Sequence, residues 1–471
     1  MTLNPADPAF ADMLSAALPN DVVRGADARY LEEPRGRFFG RPGFVALPRD
    51  KAQVARIVTL AAQARVGIVP YGGGTGLVSG QVAPDGPIPL ILSLERMNQI
   101  TALYPDENVL VCEAGAILED IQKAAEDVDR LFPLSLASEG SARIGGNLST
   151  NAGGTGVLRY GNTRDLCLGL EAVLPDGQIW NGLSRLRKDN TGYDLRHLLI
   201  GAEGSLGVIT AASLKLSPRP ASVGTAIFVV RDVNAALALL SMARARVGEM
   251  VSAFELIHRQ GYGFLAQVLP EVRQPFADPP EWSVLIEVGM AQGMNPQDVL
   301  EGLYTDACAS GLVEGGVIAQ NAQQAAEFWS VREHIPEANK LIGAVASTDV
   351  SVPLGAVSEF IAVATARIAD IGAFRINCFG HLGDGNLHFN VFPNAGETRS
   401  DYAGVADQII RTVHDLVNES GGSVSAEHGI GRMKVAELER YGDPAKLSAL
   451  RAIKAALDPK GIMNPGVIVR N

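Results

Sequence analysis

The stretch Val66-Gly67-Ile68-Val69-Pro70-Tyr71-Gly72-Gly73-Gly74-Thr75-Gly76 runs a strand-like apolar segment into four glycines within five positions. Such a loop leaves backbone amides bare and lets them approach an anionic group closely. A Rossmann turn is excluded. In the best register, Gly74-Thr75-Gly76-Leu77-Val78-Ser79, the third glycine is missing, and Pro84, Pro87 and Pro89 forbid the long helix that should follow. The Walker pattern fails too, because no Gly-Lys-Ser/Thr follows. Two readings remain: a loop that binds a pyrophosphate through N–H groups, or a glycine-rich turn with no ligand.

Two later segments favour the ligand. "PLSLASEGSARIGGNLSTNAGGTGVLRYGNTRD", from Pro133 to Asp165, is rich in Gly, Ser, Thr and Asn and reads as one long loop with no strong apolar face. Loops of that length are more often functional than structural. Its small donors and bare backbone suit a long polar cofactor. "GAEGSLGVIT" then supplies Glu203, Gly204 and Gly207 ahead of a strand.

The chain's 471 residues suffice for two to four domains. A net charge of -12 argues against nucleic-acid binding, since no basic excess exists to neutralise phosphates. Cys112, Cys167, Cys308 and Cys378 are scattered in apolar surroundings with no C-x-x-C, so they are expected reduced in a cytoplasmic protein. The N-terminus lacks the order of a signal peptide, and no apolar run is long enough to span a bilayer.

Asp50 and Gln53 form a capping-box pattern before a helix with Val54, Ile57, Val58 and Ala61 on one face. Pro175-Asp176-Gly177 reads as a turn between strands. From "GTAIFVV" to "LVEGGVIAQ" the order is βαββαβ, a ferredoxin-like unit. Helical patterns follow at Ala322–Ile342 and Val357–Ile371, then strands in "FRINCFGHLGDGNLHFNVF", then a mainly helical tail. The expected class is α+β. The pattern divides the chain into two main domains, residues 1–217 and residues 218–420 with the ferredoxin-like unit, plus a helical tail at 421–471.

"GHLGDGNLHFN" places two of the chain's seven histidines close together. The spacing of His381 and His388 is wrong for chelation from one helical face, and Gly383 and Gly385 disfavour helix. Asp384-Gly385 is a strong two-residue hairpin signal. That register would set His381 opposite His388, with Cβ atoms roughly 4.5–5.5 Å apart. A wider loop would also let the two imidazoles grip one cation. A third ligand is offered by Glu427 in "SAEHGIG", with Asp384 as a substitute. Two imidazoles and a carboxylate suit Zn²⁺, Fe²⁺ or Mn²⁺. The plain alternative is two histidines decorating a surface turn. His197, His258, His334 and His414 are expected in structural or solvent roles.

"PYGGGTG", "IGGNLSTNAGG" and "GAEGSLGVIT" together resemble the FAD-binding domain of vanillyl-alcohol-oxidase-type flavoproteins, over roughly residues 40 to 217. The resemblance implies that Gly72, Gly73, Gly74, Thr75 and Gly76 cradle the pyrophosphate. It further implies that Ser138, Gly140, Ser141, Gly145, Asn147, Ser149, Asn151, Gly154, Glu203, Gly204 and Ile209 contact the rest of FAD. The first loop holds no histidine, so covalent attachment there is not expected. "GHLGDGNLHFN", "SAEHGIG" and "PKGIMNPG" resemble the FAD-linked D-2-hydroxyacid dehydrogenases, the branch of D-2-hydroxyglutarate dehydrogenase, D-lactate dehydrogenase and the glycolate oxidase flavin subunit.

That resemblance implies oxidation of a D-2-hydroxyacid to a 2-oxoacid. Its implied parts are a divalent metal, zinc by expectation, on His381, His388 and Glu427, with His428 as general base and substrate contact, and Arg332 and Asn390 binding substrate. Glu427 and His428 can both serve only if the backbone turns there. The match frays where glutarate enzymes carry a threonine and a lysine. Pro336 and the run Ala346-Ser347-Thr348 stand here instead, with Lys340 a candidate replacement. D-2-hydroxyglutarate is the first expectation and D-lactate the second. The alternatives are a flavin oxidase of another alcohol using O₂ and a noncatalytic FAD-binding subunit. Expected partners are an electron-transfer protein or quinone as acceptor, and a second copy in a homodimer.

Overall fold

The structure is a computed structural model that describes residues 2–470. It divides into two compact units. The first comprises the chain up to Gly153, Asn162–Arg219 and the chain from Glu427 on; the second comprises Gly154–Gly161 and Pro220–Ala426.

The first unit carries two main sheets. In the four-stranded sheet, Phe44–Ala46, Leu90–Ser93 and Ile68–Tyr71 run parallel, and Val23–Gly25 pairs antiparallel at the edge. The helix Lys51–Ala64 buries Val54, Ile57, Val58 and Ala61, the face its periodicity predicts. Asp50 caps it by accepting from the Gln53 amide, but Gln53 Oε1 takes the Arg49 amide at 2.9 Å instead of the Asp50 amide, while its Nε2 donates to Asp50 Oδ2 at 3.0 Å. The five-stranded antiparallel sheet orders Ile100–Tyr104, Val109–Glu113, Val208–Lys215, Cys167–Val173 and Ile179–Gly182. Pro175-Asp176-Gly177 turns between the last two strands, with Gly177 at φ +89.

The Pro133–Asp165 segment is not one loop. Ile144–Thr150 is helical and buries Ile144 and Leu148, an i, i+4 pair masked by the glycines and serines around it. The C-terminal segment holds the helices Val435–Tyr441 and Pro444–Leu457. It is tied into the first unit by the amide of Ile68 donating to Ile462 O at 2.7 Å. The buried Lys454 ammonium adds bonds to Ser205 O, Met463 O and Asp458 Oδ2.

The second unit is built on one seven-stranded sheet, in the order Val313–Ile318, Ser222–Val230, Trp282–Met290, Val251–His258, Arg375–His381, Asn386–Phe392, Ala346–Ser351. The first four strands are the expected ferredoxin-like unit. A helix absent from the sequence reading, Arg259–Val268, follows the second of them in chain order. Gly261 and Gly263 weaken its intrinsic preference, but burial of Tyr262, Phe264 and Leu265 overrides it. The helix Ala322–Ile342 has the boundaries its pattern predicts and keeps Pro336 on its exposed side. Its Val331, Ile335 and Ala338 pack in one core cluster with Phe379 and Phe392.

All four cysteines are free, three of them buried. Among the described residues no helix is long and apolar enough to cross a membrane.

Candidate active site

The glycine loop lines an open cavity within the first unit. Its wall includes Gly72, Gly73, Gly74, Thr75 and Gly76, then Gly145, Asn147 and Ser149 from the short helix, then Glu203, Gly204 and Ile209. These are most of the residues that the sequence resemblance singles out. Close backbone approach explains the glycines. A Cβ on Gly73 would lie 2.2 Å from Ser141 O, and one on Gly145 would lie 2.7 Å from the Ala114 methyl. The Gln81 side-chain amide donates to Gly76 O at 2.7 Å and to Gly74 O at 3.3 Å, tying down carbonyls of the loop. Bare amides around an elongated cavity suit a dinucleotide's phosphates and ribose, so the residues present fit FAD.

Ser138, Gly140, Ser141 and Asn151 are not among the lining residues. Ser138 O instead accepts the amides of Ser141 and Ala142 and closes a turn. Asn151 is left-handed at φ +51 and caps the Arg164 amide with its Oδ1 at 2.9 Å. Gly154 belongs to the second unit. The sequence reading missed Tyr71, Gln81, Arg143 and Asn464, which also line the cavity. Arg143 is the informative omission. Burial lowers its pKa, and its guanidinium donates to Gly115 O. A cation inside a Gly/Ser/Asn segment was the available signal.

In the second unit, one sheet face collects Arg332, His381, His388 and Asn390. The hairpin differs from the two-residue turn expected. Leu382–Asp384 form a 3-10 turn, Gly385 follows at φ +79, and the ladder pairs Phe379 with His388. The wider turn lets Leu382 bury completely. His381 therefore sits diagonal to His388 on the same face, with ring centroids 5.7 Å apart.

Directly opposite His381 on the neighbouring strand is Glu255, whose Oε1 lies 2.8 Å from His381 Nδ1. Arg332 reaches the same carboxylate: its Nε donates to Oε2 at 2.9 Å and its Nη2 lies 2.8 Å from that oxygen. Its guanidinium also lies over the Phe379 ring, 4.9 Å from the centroid. Burial pushes the Glu255 carboxyl up, but the charges of His381 and Arg332 and their hydrogen bonds outweigh it and hold the pKa at about 2. Glu255 is thus held as a carboxylate.

Glu255 was read only as part of an apolar strand; a lone carboxylate in "VSAFELI" was its signal. Arg332 was expected to bind substrate. Two of the Arg332 nitrogens, Nε and Nη2, are directed at Glu255. His388 Nδ1 is 4.0 Å from Asp349 Oδ1, its cross-strand partner. Asp349 also accepts from Asn386 Nδ2 at 3.0 Å. Asn390 is buried beside them, paired with Ser347 on one side and Asn377 on the other. Lys340, like Pro336, is exposed. Glu427 and His428 belong to the first unit, where the backbone bends through both and continues into Gly429 at φ +81.

Two family models match the chain: "FAD linked oxidases, C-terminal domain" over residues 219–468 and "FAD binding domain" over residues 42–182. The chain is 38% identical over 429 residues to D-2-hydroxyglutarate dehydrogenase, mitochondrial, of Arabidopsis thaliana, covering 91% of this chain and 75% of that one. The Bos taurus protein of the same name is 37% identical, covering 96% and 82%. D-2-hydroxyglutarate dehydrogenase of Stutzerimonas stutzeri is 34% identical, covering 98% and 99%. Among solved structures, p-cresol methylhydroxylase with substrate bound superposes with a TM-score of 0.79 at 16% identity over 100% of this chain and 99% of that one. Alkyldihydroxyacetonephosphate synthase superposes at 0.72 and 18% identity, covering 99% and 86%. These structural likenesses show a shared fold.

Proposed function

Because the chain belongs to the FAD-linked oxidase family, as an FAD-dependent dehydrogenase of D-2-hydroxyacids, we propose that its acid is D-2-hydroxyglutarate, that a divalent metal on His381, His388 and Glu427 assists, and that His428 is the general base. The observation that carries the metal reading is the His381–Glu255 pair. Metal-binding imidazoles characteristically give their other ring N–H to a carboxylate, which sets the tautomer and raises ligand basicity. His381 has that arrangement through Nδ1, and His388 stands on the same sheet face.

Bound FAD would supply the acceptor for the C2 hydrogen and its electron pair, and a divalent ion held by His381, His388 and Glu427, zinc by first choice, would lower the pKa of the C2 hydroxyl. Removal of that hydrogen requires the hydroxyl proton to leave as well, and the His428 imidazole takes it at a ring nitrogen. Arg332 Nη1 supplies one charge-assisted bond to the substrate's C1 carboxylate, and Asn390 adds a neutral donor from the same face as His388. The acceptor that reoxidises the enzyme would be an electron-transfer protein or a quinone.

A second reading, a small D-hydroxyacid such as D-lactate, is favoured by Pro336 and Ser347, which lack the donor and cation that glutarate's distal carboxylate calls for. Comparing kcat/KM for the two acids with an artificial acceptor decides between them. D-2-hydroxyglutarate should win by at least tenfold, and a preference for D-lactate would replace it.

A further inference from the structure

We propose that Glu203 is a positioning residue: its carboxylate fixes the loop that follows Glu427 and His428 beside the FAD cavity, instead of binding the cofactor. This rests on the reading of His428 as the base. Glu203 is buried and left-handed at φ +50, a strained conformation for a non-glycine residue that persists only where its surroundings over-determine it. They do. Its amide donates to Ser149 O at 2.8 Å, and its carbonyl accepts from Asn464 Nδ2 at 2.7 Å. That backbone aims the side chain at two successive amides: Oε1 accepts from Ile430 at 2.7 Å and Oε2 from Gly431 at 2.8 Å.

Both oxygens of a carboxyl group can accept at these positions; a glutamine would set its own N–H₂ against one of the amides. The loop has no slack on its other side. A Cβ on Gly431, at φ +51, would fall 2.0 Å from Val78 O, and one on Gly429, at φ +81, would fall 2.7 Å from Glu203 Oε1. Gly429 directly follows His428, so the carboxylate grips the backbone within two residues of the base. Both oxygens are committed to amides, and a carboxylate would repel the phosphates of FAD. A 1 Å displacement of a reacting group can cost on the order of a hundredfold in rate, so a loop held this way matters for proton removal.

The test compares FAD-loaded wild type with Glu203→Gln and Gly429→Ala. The probe is D-2-hydroxyglutarate, or D-lactate if that reduces the wild-type flavin faster. Three quantities are read: FAD bound per chain, hydrogen exchange at the amides of residues 430 and 431, and the anaerobic flavin-reduction rate constant separated from substrate affinity. Both variants should keep FAD, exchange those two amides at least tenfold faster, and reduce flavin at least tenfold more slowly at saturating substrate. Unchanged exchange overturns the proposal, as does faster exchange with a wild-type reduction rate. Loss of FAD from a folded Glu203→Gln protein assigns the residue to the cofactor and also overturns it. If Glu203→Gln does not fold, Gly429→Ala decides alone. His428→Ala is run in parallel: reduction at the wild-type rate there removes the base reading, and exchange at 430 and 431 then decides separately whether Glu203 holds the loop.

Discussion

Glu255 Oε1 and His381 Nδ1 meet at 2.8 Å across two antiparallel strands, and Arg332 closes on the same carboxylate. One buried anion therefore orients the imidazole proposed to hold the metal and the guanidinium proposed to meet the substrate. Glu255→Gln removes the charge and keeps the shape. Metal affinity should fall by about 10–100-fold, the usual effect of losing such a partner. Stability should drop by about 3–5 kcal/mol, because Arg332 is left buried without its counter-charge. Metal content after dialysis and urea unfolding measure the two; unchanged metal retention would separate His381 from any ion.

If FAD lies on the glycine loop as proposed, its binding depends on a missing methyl at Gly73. Gly73→Ala forces a Cβ into Ser141 O, so the protein should purify with less than a tenth of the wild-type flavin. Gly25→Ala, where nothing lies within 4 Å, should stay yellow. A fully loaded Gly73→Ala protein would move the cofactor elsewhere.

His428→Ala should retain FAD and metal and lose about 10²–10⁴ in the rate of flavin reduction by substrate, the usual contribution of general base catalysis. Dithionite should still reduce the flavin at the wild-type rate. Stopped-flow absorbance reads both.

Glu203 gives stability a pH dependence of defined sign. Burial pushes its carboxyl up from 4.5 to about 7, against the amide bonds from Ile430 and Gly431 and the nearby Lys434 charge. The folded protein thus holds a proton that the unfolded chain has released. The stabilisation from this group is full below pH 4.5, is lost as pH rises to about 7, and is flat above. Its size is on the order of 3 kcal/mol. Urea stabilities of wild type and Glu203→Gln should accordingly diverge across that interval, with the wild type losing ground as pH rises. A constant difference would contradict the burial cost.

Periodicity carried much of the fold, because long helices such as Ala322–Ile342 and Val357–Ile371 repeat their apolar residues often enough to be read. The helices Ile144–Thr150 and Arg259–Val268 escaped it, since glycines hide two or three buried side chains that only tertiary packing rewards. In the candidate site, glycine clusters and histidine spacing were legible because their chemistry is local. Glu255 and Glu203 were not legible in their roles. Each acts through a partner more than a hundred residues away, His381 for one and Ile430 for the other, and no local spacing encodes such a pair. The hairpin register was missed for a related reason: Asp384-Gly385 specifies a tight turn locally, but burying Leu382 favours a wider one.

Anaerobic bleaching of the bound flavin tests the metal-assisted oxidation most directly, with D- and L-2-hydroxyglutarate and D- and L-lactate offered to native, chelator-stripped and zinc-restored protein. One D-acid should bleach the native flavin and its L-enantiomer should not. Stripping should slow bleaching at least a hundredfold, and zinc should restore it. Bleaching by the D-acid at the native rate in protein verified to be free of metal would contradict the account.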